Sequence, residues 1–223
     1  MPLLIVDGII ATGKTTLIAQ LQREPRYLER PTKLLISEHV TERVLEGRRP
    51  TTDNRLALLD KTLQSIENLS SILEDSKFAG SRQHAPAAIL ERFHLTHAAN
   101  DTCFVPYLEL EARMRLLGAY LVFLYHRPET LATAIDETRL SRGDHWCRYL
   151  DSFGGYQGAI AHFQHLQDRS WEFFLGSALP KVAIEARSLP IAALSSHIMD
   201  LWLGNADESG LNAPCDLTTR VET

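Results

Sequence analysis

Cysteine is scarce and unpaired in this sequence. Cys103, Cys147 and Cys215 are odd in number, and no two share a C-x-x-C spacing. Neither a disulfide framework nor a zinc knuckle is therefore expected, and a reducing compartment is the simpler setting. There is no excess of positive charge: the formal net charge is -5 over 223 residues, which gives no general reason to expect nucleic acid or an anionic membrane as partner. No apolar run approaches the ~20 residues that cross a bilayer. The first apolar run also has no basic segment ahead of it, so a signal peptide is not expected and a cytoplasmic location is. Internal repeats and low-complexity blocks are missing as well. The remaining composition, 44% hydrophobic and 23% charged, is that of an ordinary globular chain. The expectation is one domain over residues 1–204 and a weakly ordered tail over 205–223, where periodicity fades.

Short apolar runs alternate with longer helix-like stretches, the pattern of a parallel sheet wrapped by helices. Strands are expected at about 3–7, 33–37, 87–91, 120–125 and 181–185. Their apolar character implies a sheet covered on both faces. Between the second and third, Leu56, Leu59, Leu63, Ile66, Leu69 and Leu73 recur at three- and four-residue steps. That spacing predicts a long amphipathic helix over 53–75, starting near a cap at Thr52 or Asp53. Further helices are expected at about 13–23, 106–118, 128–140, 156–176 and 190–203.

The first strand runs straight into G-x-x-x-x-G-K-T, residues Gly8 to Thr15, followed by Thr16. Glycines let such a backbone turn so that successive amide N–H groups face a phosphate, and a helix N-terminus adds partial positive charge. Gly8, Ile10, Ala11, Thr12, Gly13, Lys14, Thr15 and Thr16 are the expected nucleotide-binding residues. Lys14 would reach the phosphates of ATP and the Thr15 hydroxyl would ligate Mg²⁺. An accidental strand-to-helix turn could match the same pattern, but the strand, loop and helix occur here in the order the motif needs.

Phosphoryl transfer also needs a metal-organising acid, an orienting group or base for the acceptor, and cations for the transferring charge. Glu91 and Glu38 end or follow predicted strands, where ligands gather in open α/β sheets. Glu91 suits the metal role, Glu38 the acceptor role, and Arg92 the charge. Within "DETRLSRGDHW", Arg139 and Arg142 are three residues apart and would point the same way on a helix end. Gly143 then supplies a break, so a lid is expected around 137–148.

In combination these segments resemble the deoxynucleoside kinases, within the wider group that includes thymidylate kinases. "DGIIATGKTT" is similar to that family's phosphate loop. "SEHVTER" at 37–43 occupies the place of its Glu-Pro-Val segment, and "LERFHLTHA" at 90–98 resembles its Glu-Arg-Ser motif. "RLSRG" at 139–143 resembles the lid, and "FQHLQDRSWEFFL" at 163–175 the helix before the last strand. The resemblance implies a three-layer P-loop NTPase fold with a five-stranded parallel sheet, and transfer of the ATP γ-phosphate to a nucleoside 5′-hydroxyl. It also implies Glu38 as general base, Glu91 as metal-organising acid, Arg92 as the arginine facing phosphate and acceptor, and Arg139 and Arg142 as lid residues. Relatives of this kind are often homodimers. His39 stands where the family has proline, and Phe93 where it has serine.

Near the acceptor, Arg82 and Gln83, with His84, offer donors to a base or other polar group. Phe104, Tyr107 and Trp146 could stack on a ring or simply fill core. The leading expectation is a kinase of a hydroxyl acceptor, with no nucleic-acid or membrane partner. A thymidylate-type monophosphate kinase is the close rival, because Arg43, Arg48, Arg49 and Arg82 could serve a phosphate. A kinase of a non-nucleoside alcohol and a P-loop ATPase or switch complete the set, although the N-K-x-D guanine motif of common GTPases is absent.

Overall fold

The computed structural model describes residues 2–46, 50–81 and 84–204. Arg48, Arg49, Arg82, Gln83 and the 205–223 tail lie outside the described residues. The elements are β1 (Leu3–Gly8), α1 (Lys14–Leu21), α2 (Pro25–Leu28), β2 (Lys33–Ile36), α3 (Glu38–Thr41), α4 (Thr52–Glu74) and β3 (Ala87–Glu91), then α5 (His94–Asp101), α6 (Leu108–Leu116) and β4 (Ala119–Tyr125). After these come α7 (Pro128–Ser141), α8 (Asp144–Asp151), α9 (Gly155–Gly176), β5 (Lys181–Glu185) and α10 (Ile191–Leu203). All five strands pair in parallel, in the order β2-β3-β1-β4-β5. This is the expected α/β, P-loop NTPase-like architecture. Among the described residues, no helix is long and apolar enough to cross a membrane.

Two-residue alternation along β1 divides the core. Leu3 and Ile5 face a layer supplied by α4, α5, α6 and α9, including Leu59, Leu63, Ile66, Phe93 and Phe174. Leu4 and Val6 face α1 and α10, where Leu17, Leu21, Ile198 and Trp202 pack. With both faces covered, β1 and β3 are buried along their whole lengths. Each fully buried Leu or Ile contributes about 1.5–3 kcal/mol. The order reverses beside β1, so the loop after β1 opens at the switch point of the sheet.

The predicted strands and long helices are present, but some boundaries differ. Helix α4 is continuous and is capped by Thr51 rather than Thr52 or Asp53. Thr51 Oγ1 accepts from the Asn54 N–H at 3.3 Å while Asn54 Oδ1 accepts from the Thr51 N–H at 3.4 Å. That reciprocal box satisfies two otherwise unpaired donors, which outweighs the later polar residues. Lys181, the first residue of β5, closes α9 by donating to the carbonyls of Phe174, Leu175 and Ser177 at 2.6–2.8 Å.

Helix α5 was not expected, and its cause is distant in sequence. Its N-terminus carries no side-chain cap of its own. Instead the buried Asp7 carboxylate, from β1, accepts from the N–H groups of Phe93 (3.2 Å) and Thr96 (3.3 Å) and from the Thr96 hydroxyl (2.7 Å). It also accepts from the Gly8 N–H at 2.7 Å. A negative charge at a helix N-terminus is favourable both as hydrogen-bond acceptor and against the helix dipole. Asp7→Ala leaves several buried donors without a partner and should lower stability by about 3 kcal/mol. Urea unfolding measures this, and a loss under about 1 kcal/mol would show that the carboxylate is dispensable to the fold.

Candidate functional site

The phosphate loop owes its shape to backbone geometry that few residues tolerate. Gly8 sits at φ 139°, and a Cβ there would lie 2.3 Å from the Leu124 carbonyl oxygen on β4. Gly13 adopts the left-handed region at φ 85°, and Ala11 does so at φ 62° despite its Cβ. Strain of this kind collects where backbone amides are arranged around a ligand. Residues Ile10 to Leu17 line one wall of a cavity of about 920 Å³. Gly8 is outside that lining and serves as the pivot beneath it.

Lys14 is folded back over the loop. Its Nζ donates to the Ile9 carbonyl at 2.6 Å and lies 3.5 Å from Thr12 Oγ1. The side chain is 5% exposed. Burial, with help from Arg92, lowers its pKa to about 7, although Asp7, Glu38 and Glu91 pull the other way. Beside it, the Thr15 hydroxyl donates to Glu91 Oε1 at 3.0 Å, and Glu91 Oε2 accepts from the Glu38 N–H at 3.4 Å. Thr15 and Glu91 thus present hard oxygen atoms side by side, the donor type that suits Mg²⁺. Among the described residues, no three His, Cys, Asp or Glu side chains gather as a metal-binding group. One carboxylate, one hydroxyl and phosphate oxygens make up the set Mg²⁺ commonly uses beside a polyphosphate.

The opposite wall is a turn of linked charges. Helix α3 begins at Glu38, and Thr41 Oγ1 ties it down through the Glu91 carbonyl at 2.6 Å. Arg43 donates from Nε to Glu38 Oε1 at 2.8 Å, and its Nη2 contacts the same oxygen. Arg92 donates to Glu42 Oε2 at 2.7 Å. Its Nε lies 3.1 Å from Glu38 Oε2 but off the line of a hydrogen bond, so that contact is charge against charge. Arg92 itself is held at φ 50°. Burial pushes the Glu38 carboxyl upward, yet Arg92 and Arg43 outweigh it and the net shift is downward. Burial likewise disfavours the Arg92 cation, but Glu42 and Glu38 more than restore it. Glu38 is therefore an anion at neutral pH, with its carboxylate in the cavity and able to accept hydrogen bonds. Glu42, one helical turn after Glu38, belongs to the same constellation. That i, i+4 spacing was visible in the sequence, as was Arg92 itself, but not that Arg92 joins the two carboxylates.

Over the cavity stands the segment expected as a lid, and there the two arginines part. Helix α7 ends at Ser141, and Arg142 continues in extended backbone at φ -115°, ψ 142°. They therefore do not share a helix face. Arg142 lines the cavity with its guanidinium carbon 4.5 Å from the centre of the Trp146 ring. Arg139 lies outside that lining, with its guanidinium carbon 5.7 Å from the centre of the Tyr156 ring. Helix α8, which sequence periodicity did not show, brings His145, Trp146 and Tyr149 to the same cavity. Residues 186–189, after β5, and Pro190 and Ile191 at the start of α10 also line it, and 186–189 carried no sequence signal. Of the other aromatics, Tyr107 is buried and donates to Asp101, while Phe104 stacks on Phe173 at 5.4 Å; both are packing residues.

The lowered Lys14 pKa predicts proton uptake when a polyphosphate such as that of ATP enters the loop. Phosphate oxygens favour the ammonium, so at pH 8 binding should draw in about one proton. Calorimetry in buffers of different ionisation enthalpy reads this number, and Lys14→Met should abolish it. Uptake that persists in Lys14→Met would assign it to another group.

No protein-family model and no curated protein matches this chain. Among solved structures, it is similar to the YorR protein of Bacillus subtilis, which was determined in complex with phosphorylated GDP. The TM-score is 0.57 at 14% identity, over 93% of this chain and 99% of that one. The likeness is one of fold.

Proposed function

We propose that the chain is an ATP-dependent kinase that transfers the γ-phosphate to a hydroxyl of a small molecule, and that the 5′-hydroxyl of a (deoxy)nucleoside is the foremost acceptor. The observation that carries this reading is the position of Glu38 and Arg92 in the same cavity as Lys14 and Thr15. A simple nucleotide switch has no evident use for a carboxylate–guanidinium pair opposite its phosphate loop. The nucleotide held by YorR, a protein of the same fold, adds support.

In this mechanism the loop amides and Lys14 hold the donor phosphates, and Glu38 accepts the hydrogen bond of the acceptor hydroxyl. Arg92 and Arg142 supply positive charge around the transferring group. Mg²⁺, held by Thr15 and Glu91, would neutralise charge on the phosphate oxygens when bound. Catalysis then rests on positioning and electrostatics more than on strong base chemistry, in keeping with the lowered pKa of Glu38.

A hydroxyl acceptor fits better than a phosphate. Arg43 and Arg92 are both committed to carboxylates of this chain, Glu38, Glu42 and Glu46. A monophosphate would have to break those pairs. A non-nucleoside alcohol is the second reading, because the chain departs from the kinase resemblance at His39 and Phe93. Phe93 is fully buried in the core, where the kinase resemblance places a serine.

The test is Mg²⁺-dependent ADP release with nucleosides, nucleoside monophosphates and unrelated alcohols. A nucleoside should stimulate release, and Glu38→Gln should cut the stimulated rate by about 10²-fold or more with ATP affinity unchanged. Stimulation by a monophosphate that survives Glu38→Gln would point to the rival class. Release that needs no acceptor would point to an ATPase.

A further inference from the structure

Helix α3 is only four residues long, lacks a side-chain cap, and buries Thr41 alone. A helix that short cannot hold itself, because nucleation costs more than one turn returns. Yet it carries Glu38, and Glu42 follows it directly. Something outside the turn must fix it.

Two contacts to Thr41 do so. The first is its hydroxyl on the Glu91 carbonyl. The second comes from His97 on α5, a fully buried side chain whose Nε2 lies 2.6 Å from the Thr41 carbonyl oxygen. The other ring nitrogen, Nδ1, lies 3.4 Å from Nη1 of Arg55 on α4. A carbonyl oxygen only accepts, so Nε2 must carry the hydrogen. A guanidinium only donates, so Nδ1 must be bare. One neutral tautomer meets both demands. Arg55 is fixed in turn by Asp101 at 2.9 Å, which also accepts from the Tyr107 hydroxyl.

We propose that His97, as the Nε2–H tautomer, is a positioning residue for the acceptor side of the cavity, holding the turn that carries Glu38 and Glu42 against Arg92. It touches neither phosphate nor acceptor in this role, and the assignment rests on the kinase reading of the site. The Thr41 carbonyl lies between the two carboxylates in the chain, so releasing it shifts both relative to Arg92.

The charged groups around the imidazole agree with this role. Burial pushes its pKa below the usual 6.5; the Thr41 carbonyl, Glu42 and Asp7 oppose the shift and Arg55 adds to it. Asp101 balances Arg55 from the end of α5. Protonation would turn Nδ1–H toward the Arg55 guanidinium, donor against donor and charge against charge. The turn is therefore held firmly above pH 6.5 and loosens as the pH falls through the lowered pKa.

His97→Gln and His97→Leu test the assignment in the full chain. Glutamine retains an N–H donor and does not titrate; leucine has no donor. His97→Leu should lower kcat/KM for the acceptor by about tenfold to a hundredfold, with ATP affinity unchanged. His97→Gln should recover most of that loss and lack the acid limb below pH 6.5. Two NMR measurements judge the proposal without turnover, and so separately from the kinase reading. The ¹⁵N shifts of His97 should report Nε2–H at pH 7.5, and the Arg92 Nε–H signal should move in His97→Leu but hardly in His97→Gln. An Nδ1–H tautomer, an unmoved Arg92 signal in folded His97→Leu, or equal losses of acceptor and ATP binding in both variants would overturn it.

Discussion

The site depends on one buried carboxylate. Asp7 is the last apolar-run residue before the phosphate loop, and its two oxygens accept four hydrogen bonds. One donor is Gly8, the pivot of the loop. The others belong to Phe93 and Thr96, which begin the helix after Glu91 and Arg92. A single carboxylate thus joins the phosphate-loop motif to the strand end that carries Glu91 and Arg92. Burying it is tolerable because its charge is spread over several donors and a helix N-terminus.

From that anchor the charges proceed in order across the cavity. Lys14 lies over the loop with its ammonium weakened by burial. Arg92, held in a strained backbone conformation, bridges Glu38 and Glu42. Each of these groups is partly compensated by a neighbour, so none stands as an isolated buried charge, which would cost several kcal/mol. Lys14 is bound only to the Ile9 carbonyl and near Thr12, so its charge is free to meet a polyphosphate, while Arg92 is taken up with keeping Glu38 and Glu42 ionised and in place. Preorganisation of this kind, more than the basicity of any one residue, is what phosphoryl transfer calls for.

The phosphate loop was legible because its chemistry is local. Eight consecutive residues contain the glycines, the lysine and the hydroxyl, and the strand before and helix after them follow from short-range periodicity. Glu38, Glu91 and Arg92 were legible for a related reason: strand ends are where a parallel sheet presents its ligands. The expectation for Arg139 and Arg142 used helical spacing and failed at the helix end. Only the folded chain shows that α7 stops at Ser141 and sends Arg142 alone toward the cavity.

What the sequence determined by itself is the strand–loop–helix unit, the parallel sheet and the residues that make up the loop between β1 and α1. Their determinants are separated by a few residues and by fixed strand and helix periods. Tertiary structure alone decided how the acceptor wall is assembled. Asp7 caps a helix 89 residues away at Thr96, and His97 holds Thr41 across 56 residues. No periodicity encodes such pairs, because they arise only when the sheet order brings β1 beside β3 and lays α5 against the turn after β2. The direction of a buried hydrogen bond, and hence the tautomer of His97, is settled by that packing.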